Sequence, residues 1–462
     1  MAFAAARKVR ILSEAVRSYL TDKDVRSGIA FHAREGRWPG AAASWSRSVT
    51  PTAPAPTGAP GVALPGGADE GTPAVPVPRV RLGEIARGGS TFERTSLMDA
   101  PPHVNLVLPG LDVDRIYAGL LTAMTVGWRL AEARGVPLRV VLTSEAVGAT
   151  STRTLRRWFV DNGFDPARAA TVDLVERAQV PSATFGTGDV WVATYWTTAH
   201  ALDLACRRGA VDRSRVVYLV QDFEPSFSGW SDQYAIAEST YRAGFTPMVN
   251  SRSLADYLAW AVGLEVDPQV VFAPHLDLPA LQGAAAAWEP GDPERPRVFF
   301  YARPRHPRNL FRIGIEGVQR FAVLAEAEGL RPDVVTAGDL HRDVALTPTT
   351  VARSAGKLSM ADYYGLVGRT DLALCLMQSP HPSHMPLELA CSGVPTVTNS
   401  LGGFRGDWHD RLVRAEADPD ALGAALLEAW RTRPEQHAFA PPRGLGGELD
   451  AAVAAVAQRV PR

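Results

Sequence analysis

The chain has 462 residues, a formal net charge of −1 and three cysteines that lie far apart. This length predicts two domains rather than one core, and the balanced charge excludes an electrostatic case for binding nucleic acid or a membrane surface. Cys206, Cys375 and Cys391 lack metal-ligand spacing and indicate thiols in a reducing compartment. The sequence contains no apolar run of membrane-spanning length and no apolar core of a secretory signal, so we expect a cytoplasmic protein.

Two segments precede the first predicted domain. Apolar residues at helical spacing from Val9 to Leu20 predict a helix within an N-terminal helical segment, residues 1–40. Residues 41–80 are rich in Pro, Ala, Gly and Thr. Such a composition buries too little apolar surface to offset the entropy of ordering, so it predicts a disordered linker. A targeting role for this linker is the alternative.

Strands and helices alternate through the first predicted domain, residues 81–272, and this alternation favours a parallel sheet. The predicted strands are His103–Pro109, Val136–Leu142, Ala170–Val175, Val190–Tyr195, Val216–Val220 and Pro247–Asn250. The predicted helices cover about 117–134, 151–162, 198–208, 231–242 and 253–262.

The same alternation restarts at Arg297–Ala302 and defines a second predicted domain, residues 273–435, followed by a helical tail over 436–462. Its further strands are predicted at Val334–Ala337, Leu372–Met377 and Val394–Thr398, and its helices at about 311–328, 359–368, 386–392 and 420–431. The predicted fold class is therefore α/β, with two Rossmann-like doubly wound domains that face each other across a ligand-binding cleft.

Two polar loops in the second domain follow strands, at the sheet edge where open α/β folds bind ligands. The loop 303–309 carries Arg303 and Arg308, whose guanidinium groups would stabilise the negative charge of a diphosphate. A solvated surface loop is the alternative. The loop 378–384 leads into a short helix with Pro386 in its first turn, and the N-terminus of that helix would accept a phosphate.

An acidic loop, Gln221–Pro225, follows the apolar strand of the first domain. Asp222 or Glu224 could orient or deprotonate an acceptor hydroxyl. The alternative is a salt bridge from this loop to an arginine such as Arg252 or Arg242. Four nearby aromatic residues form either a sugar-stacking wall or core packing, namely Phe223, Phe227, Trp230 and Tyr234.

Three other features favour ordinary structural roles. The pair Gly186 and Gly188 precedes a strand and lacks a third glycine, so it is not a dinucleotide loop. Asp112 and Asp114 lie at a helix entry, where capping is favoured over metal binding. His200 is interpreted as a helix-capping histidine.

These segments together resemble the family 4 retaining GT-B glycosyltransferases. Arg303 and Arg308 are similar to the basic pair of that family, and Pro386–Pro395 resembles its Pro-Leu-Glu-Ala-x-Ala-x-Gly-x-Pro segment. The resemblance is strongest to the bacterial rhamnosyltransferases of the WsaF type and covers residues from about 100 to 435. The segments that carry it are Gln221–Pro225, Glu238–Tyr241, Gly356–Ser359 and Ser379–Ser383.

The resemblance implies a metal-independent enzyme, without a cofactor, that uses a nucleoside diphosphate sugar such as TDP-β-L-rhamnose. The acceptor would be a cell-surface glycan or a lipid-linked saccharide bound by the first domain, and the donor would occupy the second. The candidate catalytic residues are Asp222, Arg303 and Lys357. The candidate substrate-binding residues are Gly119, Glu224, Arg252, Arg308, His381, Ser383, His384 and Glu388.

The sequence departs from the broader family at one position. The first Glu of the family's E-x₇-E pattern falls at Pro380, while the second is kept as Glu388. The donor-sugar pocket must therefore be built differently, from His381, Ser383, His384 or backbone N–H groups. Two alternatives to a transferase stay open, a nucleotide-sugar epimerase of the same architecture and a non-catalytic carbohydrate-binding or scaffold protein. Peripheral association with the inner membrane face is also left open.

Overall fold

The computed structural model describes residues 88–93, 95–144 and 146–461. The predicted helix from Val9 to Leu20 and the predicted linker over 41–80 lie outside the described residues. The described part of the chain contains two seven-stranded sheets and one two-stranded sheet.

The first seven-stranded sheet is entirely parallel and has the order β4-β3-β2-β6-β7-β8-β9. The strands of this half are β1 (Leu97–Met98), β2 (Val104–Leu108), β3 (Leu138–Leu142), β4 (Asp173–Val175), β5 (Phe185–Gly186), β6 (Val190–Ala193), β7 (Val216–Val220), β8 (Thr246–Asn250) and β9 (Val271–Phe272). All five residues of β7 are buried, as expected for a parallel strand with both sheet faces covered.

Six α-helices lie in the described part of this half, up to β9. They are α1 (Gly119–Arg134), α2 (Thr152–Asp161), α3 (Pro166–Ala169), α4 (Trp196–Arg207), α5 (Asp232–Thr240) and α6 (Arg252–Val262). Local capping fixes where they start, because the hydroxyls of Ser151, Ser231 and Ser251 accept hydrogen bonds from the first turns of α2, α5 and α6. A hydrophobic core lies on each face of the sheet.

The second sheet has the order β12-β13-β11-β10-β14-β15-β16, and only its β12–β13 pair is antiparallel. Its strands are β10 (Arg297–Ala302), β11 (Asp333–Gly338), β12 (Val344–Ala345), β13 (Val351–Ser354), β14 (Leu372–Leu374), β15 (Thr396–Asn399) and β16 (Leu412–Ala415). The remaining helices are α7 (Leu278–Ala286), α8 (Phe311–Ala327), α9 (Met360–Val367), α10 (His384–Cys391), α11 (Pro419–Arg431) and α12 (Leu449–Arg459).

Both sheets reverse the direction in which strands are added. The first sheet reverses between β2 and β6, and the second between β10 and β14. Such a switch point leaves a crevice at the carboxyl ends of the two neighbouring strands, because the connections leave toward opposite faces. The topology therefore places the loops after β10 and β14 side by side.

The C-terminal helix α12 packs against the first domain. Ala452, Val453 and Val456 belong to the core that also contains residues of α1. Arg134, at the end of α1, donates hydrogen bonds to the carbonyls of Ala457 and Val460 at 3.2 and 3.0 Å. The predicted helical tail is thus structurally part of the first domain's surface layer.

Several elements differ from the sequence-based expectations. The sequence predicts no helix in the second domain before Arg297, where α7 lies, and β16 and the β1–β5 pair have no predicted counterpart. Gly186 lies in β5, where an added Cβ would come within 2.8 Å of the Ala100 carbonyl oxygen, so close backbone packing explains this glycine. The Asp112 side chain accepts a hydrogen bond from the Asp114 amide at 3.2 Å, which confirms the capping interpretation.

The packing predicts opposite effects for two glycine substitutions. An added Cβ at Gly314 in α8 would come within 2.6 Å of Phe300 Cε2, whereas nothing lies within 4 Å at Gly365 in α9. We expect Gly314→Ala to lower the free energy of unfolding by about 1–3 kcal/mol through overpacking. Gly365→Ala, the matched control, should raise it by about 0.5–1 kcal/mol because alanine favours the helix. Urea titration of both variants measures the difference, and equal effects would contradict the described packing.

Candidate active site

The loops that follow β10 and β14 meet at the switch point of the second sheet. The Gln378 amide donates a hydrogen bond to the Arg308 carbonyl at 2.6 Å, which ties the two loops together. Asn309 is fully buried beneath them, and its Nδ2 donates to the Leu376 carbonyl at 3.4 Å. The two loops singled out in the sequence therefore form one surface.

Asp222, at the end of β7 in the first domain, contacts both of these loops. Its Oδ2 accepts a hydrogen bond from Arg308 Nη1 at 2.8 Å, and its Oδ1 accepts one from the Ser379 hydroxyl. Burial raises the pKa of Asp222, while the Arg308 guanidinium and the Ser379 hydroxyl oppose that rise. The two domains are thus joined at one candidate catalytic carboxylate.

Glu224 has a different role in the same loop. It is 3% exposed, and its Oε2 accepts hydrogen bonds from the Trp196 amide at the start of α4 and from the Tyr218 hydroxyl. Burial raises the pKa of Glu224 well above its ordinary value. A carboxyl group held on a helix N-terminus in this way stabilises the first domain.

The arginine that pairs with the acidic loop is Arg308. Arg242 pairs instead with Glu238 at 2.7 Å, and Arg252 pairs with Asp256 at 3.0 Å. The Arg252 side chain is half exposed on α6, so the structure does not bring it to Asp222.

Arg405 organises the loop after β14, although the sequence offers no motif that marks it. It is fully buried, and its guanidinium donates to the carbonyls of Ser379, His381 and Pro382 and to the Thr398 hydroxyl at 3.0–3.2 Å. Burial lowers its pKa to about 10, and the negative charge of Asp222 opposes this. Only a buried position between β15 and β16 distinguishes it from the chain's many other arginines.

His381 in this loop is buried, and His384 at the start of α10 is partly buried; burial lowers the pKa of both and favours their neutral forms. Burial lowers the pKa of His381 well below its usual range, and nearby His384, Arg405 and Arg308 lower it further. His381 Nδ1 accepts a hydrogen bond from the Ser383 amide at 3.1 Å, whereas its Nε2 is buried with no partner among the described residues. A neutral imidazole that accepts at Nδ1 carries its proton on Nε2, so it can donate one hydrogen bond to a ligand.

Glu388 lies on α10 and is 7% exposed. Burial raises its pKa, and the Tyr363 hydroxyl opposes that rise. The carboxylate and this hydroxyl interact, but Glu388 Oε2 and the tyrosine oxygen both lack a well-aligned hydrogen bond within the described part of the chain. Buried acceptors of this kind are satisfied when a ligand hydroxyl binds.

The remaining candidates lie after β10 and β13, at the start of α1 and just before α10. Arg303 follows β10 and donates to His306 Nε2 at 2.5 Å. Lys357 is exposed after β13, with its ammonium 5.2 Å from the ring centroid of Tyr117 in the first domain. Gly119 begins α1, and its carbonyl accepts a hydrogen bond from the Gln221 side chain at 3.0 Å. Ser383 precedes α10 with a positive φ of 67° and makes no side-chain cap.

No helix among the described residues has both the length and the apolar character needed to cross a membrane. These residues also contain no group of three or more His, Cys, Asp or Glu side chains placed to hold a metal ion.

Two Rossmann-like domains whose polar strand ends meet in this way form the GT-B architecture of glycosyltransferases. Residues 103–252 match the N-terminal domain of WsaF and residues 296–427 match its C-terminal domain. The two matches together cover more than half of the chain. The chain therefore belongs to the WsaF family of GT-B glycosyltransferases.

One curated relative is an O-antigen biosynthesis protein, RfbC, from Myxococcus xanthus, which is 32% identical over 248 residues. The match covers 52% of this chain but only 18% of that much longer protein. Among solved structures, a sucrose-phosphate synthase from Thermosynechococcus elongatus is 11% identical, with 78% of this chain and 94% of that chain covered and a TM-score of 0.45. WaaG, a glycosyltransferase involved in lipopolysaccharide biosynthesis, is 13% identical, with 77% and 94% covered and a TM-score of 0.39. At these scores the fold assignment rests on the sheets and the family match.

Arg405→Lys tests how far this loop depends on the buried guanidinium. A lysine offers a compact ammonium with three donors rather than a planar fork, so at least one of the four acceptors would lose its donor. We expect the free energy of unfolding to fall by about 2–4 kcal/mol. The control is Arg312→Lys, whose side chain is 91% exposed and which should change stability by about 0.5 kcal/mol or less. Similar values for the two variants in urea titrations would refute the role of Arg405.

Proposed function

We propose that this chain is a retaining glycosyltransferase that moves L-rhamnose from TDP-β-L-rhamnose to a cell-surface glycan or lipid-linked saccharide. The observation that carries this proposal is the meeting of Asp222 with Arg308 and Ser379 at the switch point of the second sheet. Family membership supports the transferase class, and the relative named for O-antigen biosynthesis supports a surface glycan as the product. The rhamnose and TDP assignments rest on the resemblance of the loop segments.

The donor diphosphate binds against Arg303 and Arg308 and the N-terminus of α10. Guanidinium groups and free helix N–H groups stabilise the negative charge that develops on the leaving diphosphate. Arg308 must then exchange the Asp222 carboxylate for a phosphate oxygen, which frees Asp222 at the moment when the donor binds. The reaction in this proposal needs no metal ion, because the two arginines supply the positive charge.

The donor sugar and nucleotide contact the buried polar groups in and beside this loop. Glu388 accepts a hydrogen bond from a hydroxyl of the nucleotide sugar, and His381 donates one through Nε2. Because the deoxyribose of TDP has a single free hydroxyl, Glu388 makes fewer contacts than it would with a UDP sugar. Lys357 contributes positive charge at the far end of the same edge.

Asp222 orients the acceptor hydroxyl or accepts its proton. A carboxylate whose pKa is raised by burial is a better proton acceptor near neutral pH than an exposed one. In a retaining enzyme the leaving phosphate also helps to deprotonate the acceptor, so replacement of Asp222 slows turnover without abolishing it.

Donor specificity is measured by thermal shift against UDP-, GDP- and TDP-sugars. We expect TDP-rhamnose alone to raise the melting temperature, and Arg308→Met to remove that shift because it removes the phosphate contact. Arg312→Met, an exposed arginine on α8, is the control and should keep the shift. A shift with GDP-mannose only would overturn the donor assignment. Conversion of the donor into its epimer in the absence of any acceptor would support an epimerase instead.

Ser379→Ala tests Asp222 as the group that titrates. The Ser379 hydroxyl lowers the pKa of Asp222 by donating to the carboxylate, so its loss raises that pKa. Since the deprotonated carboxylate is the active form, the acid limb of kcat/KM should move to higher pH by about one pH unit. Ser383→Ala alters the same loop without touching Asp222 and should leave the limb in place. An unmoved limb in Ser379→Ala, or wild-type turnover in Asp222→Asn, would contradict the role of Asp222.

A further inference from the structure

A run of aromatic rings leads from the candidate active site to the protein surface. Trp230 is 93% exposed and Trp260 is 69% exposed, unusual values for the largest apolar side chain. We define the aromatic band as Trp230, Tyr234, Tyr257, Trp260 and Phe404. These five residues are partly or largely exposed, and their rings support one another in the described structure.

The contacts along the band are close. The ring of Trp230 stacks on that of Tyr234 at 4.9 Å between centroids, with a 19° angle between planes. Tyr257 contacts Trp260 at 5.4 Å and Phe404 at 5.0 Å, and Trp260 contacts Phe404 at 5.1 Å. Rings held by their neighbours lose little further entropy when a ligand packs on them.

Two rings of the band contact the residue next to Asp222, the candidate catalytic carboxylate. Phe223, which follows Asp222 directly, contacts Tyr234 at 6.5 Å and Tyr257 at 4.9 Å between ring centroids. Phe404 belongs to the second domain and precedes the buried Arg405. The band therefore includes residues of both domains and contacts Phe223, the residue next to the carboxylate that binds the acceptor hydroxyl in the proposed reaction.

A cleft of about 400 Å³ with charged side chains in its lining adjoins the band. It lies between α6, which supplies Arg252, Ser253 and Asp256, and the segment 403–408 of the second domain. Its lining includes the Phe404 ring together with Asp407. The buried Ser253 hydroxyl donates to the Pro380 carbonyl at 2.8 Å, which connects the cleft wall to the loop that also contacts Asp222.

We propose that the aromatic band and this cleft bind the acceptor glycan over several sugar residues beyond the one that reacts, an inference that rests on the proposed function. A sugar chain presents C–H faces that pack on aromatic rings and hydroxyls that both donate and accept hydrogen bonds. In the cleft, Phe404 of the band lies with two carboxylates and a guanidinium, namely Asp256, Asp407 and Arg252. Arg252, a predicted substrate-binding residue, thus contacts the acceptor away from the reacting centre.

The charges of the cleft favour a neutral glycan over a membrane surface. An anionic bilayer attracts uncompensated Lys and Arg, whereas the arginines here are paired. Arg252 pairs with Asp256 at 3.0 Å, and Arg443 pairs with Asp410 at 2.5 Å. Asp407, which also lines the cleft, pairs with Arg414 at 2.8 Å.

The test is binding of the full chain to an array of bacterial cell-surface oligosaccharides. We expect wild type to bind a subset and Trp260→Ala to bind the same subset about tenfold more weakly. Trp260→Phe keeps a ring at this position and should restore most of the binding. Val323→Ala changes another exposed apolar residue, on α8 outside the band and the cleft, and should bind like wild type.

Three results would overturn the proposal. The first is equal oligosaccharide binding by wild type and Trp260→Ala. The second is a wild type that still binds the donor but binds no oligosaccharide. The third is that Trp260→Ala keeps oligosaccharide binding and instead loses binding to phosphatidylglycerol vesicles or loses self-association. Thermal shift with TDP-rhamnose is measured on each variant in parallel and should be unchanged. Absence of that shift in wild type would count against the proposed donor. The oligosaccharide array tests the acceptor surface independently of the donor.

Discussion

The Asp222 carboxylate is the point on which the arrangement of the two domains depends. One oxygen accepts from Arg308 and the other from the Ser379 hydroxyl and the Phe223 amide, so both carboxylate oxygens are engaged. A charge-assisted hydrogen bond in a partly buried site is stronger than a surface ion pair. The same contacts compete with substrate, because the donor diphosphate needs Arg308 and the acceptor needs Asp222. The contact between the two domains is thus made by the groups that the proposed reaction must release.

Arg405 stabilises the loop that makes that contact. Its guanidinium is fully buried, yet its hydrogen-bond acceptors are three carbonyls and a hydroxyl rather than a carboxylate. A buried charge is costly unless its donors are satisfied. Four of the five possible donors of Arg405 have acceptors, while Nε has none among the residues that the structure describes. The carbonyl dipoles stabilise the charge and fix the path of the loop. Ser379 therefore reaches Asp222 because Arg405 holds the carbonyl of the same residue.

The sequence predicted the alternation of strands and helices well, because buried parallel strands such as Val216–Val220 are uninterrupted apolar runs. It also placed Asp222, Arg308 and the loop after β14 at strand ends, where the topology brings them together. It did not reveal Arg405, since a buried arginine looks like a surface one until its neighbours are known. It grouped Glu224 with Asp222 and Arg252 with the acidic loop, whereas the structure directs Glu224 to the start of α4 and pairs Arg252 with Asp256. Such contacts depend on residues distant in sequence, which local patterns do not encode.

Pro380 acquires a physical explanation from these contacts. Its carbonyl accepts from Ser253 of the first domain, and the carbonyls on either side of it, those of Ser379 and His381, accept from Arg405. Proline fixes φ, so it suits a loop whose carbonyls must point in set directions. A glutamate at this position would add a negative charge next to Ser379, which donates to Asp222, a carboxyl group whose pKa burial already raises. Proline at this position therefore adds no carboxylate to the loop that faces Arg308, whose guanidinium the donor diphosphate needs in the proposed reaction.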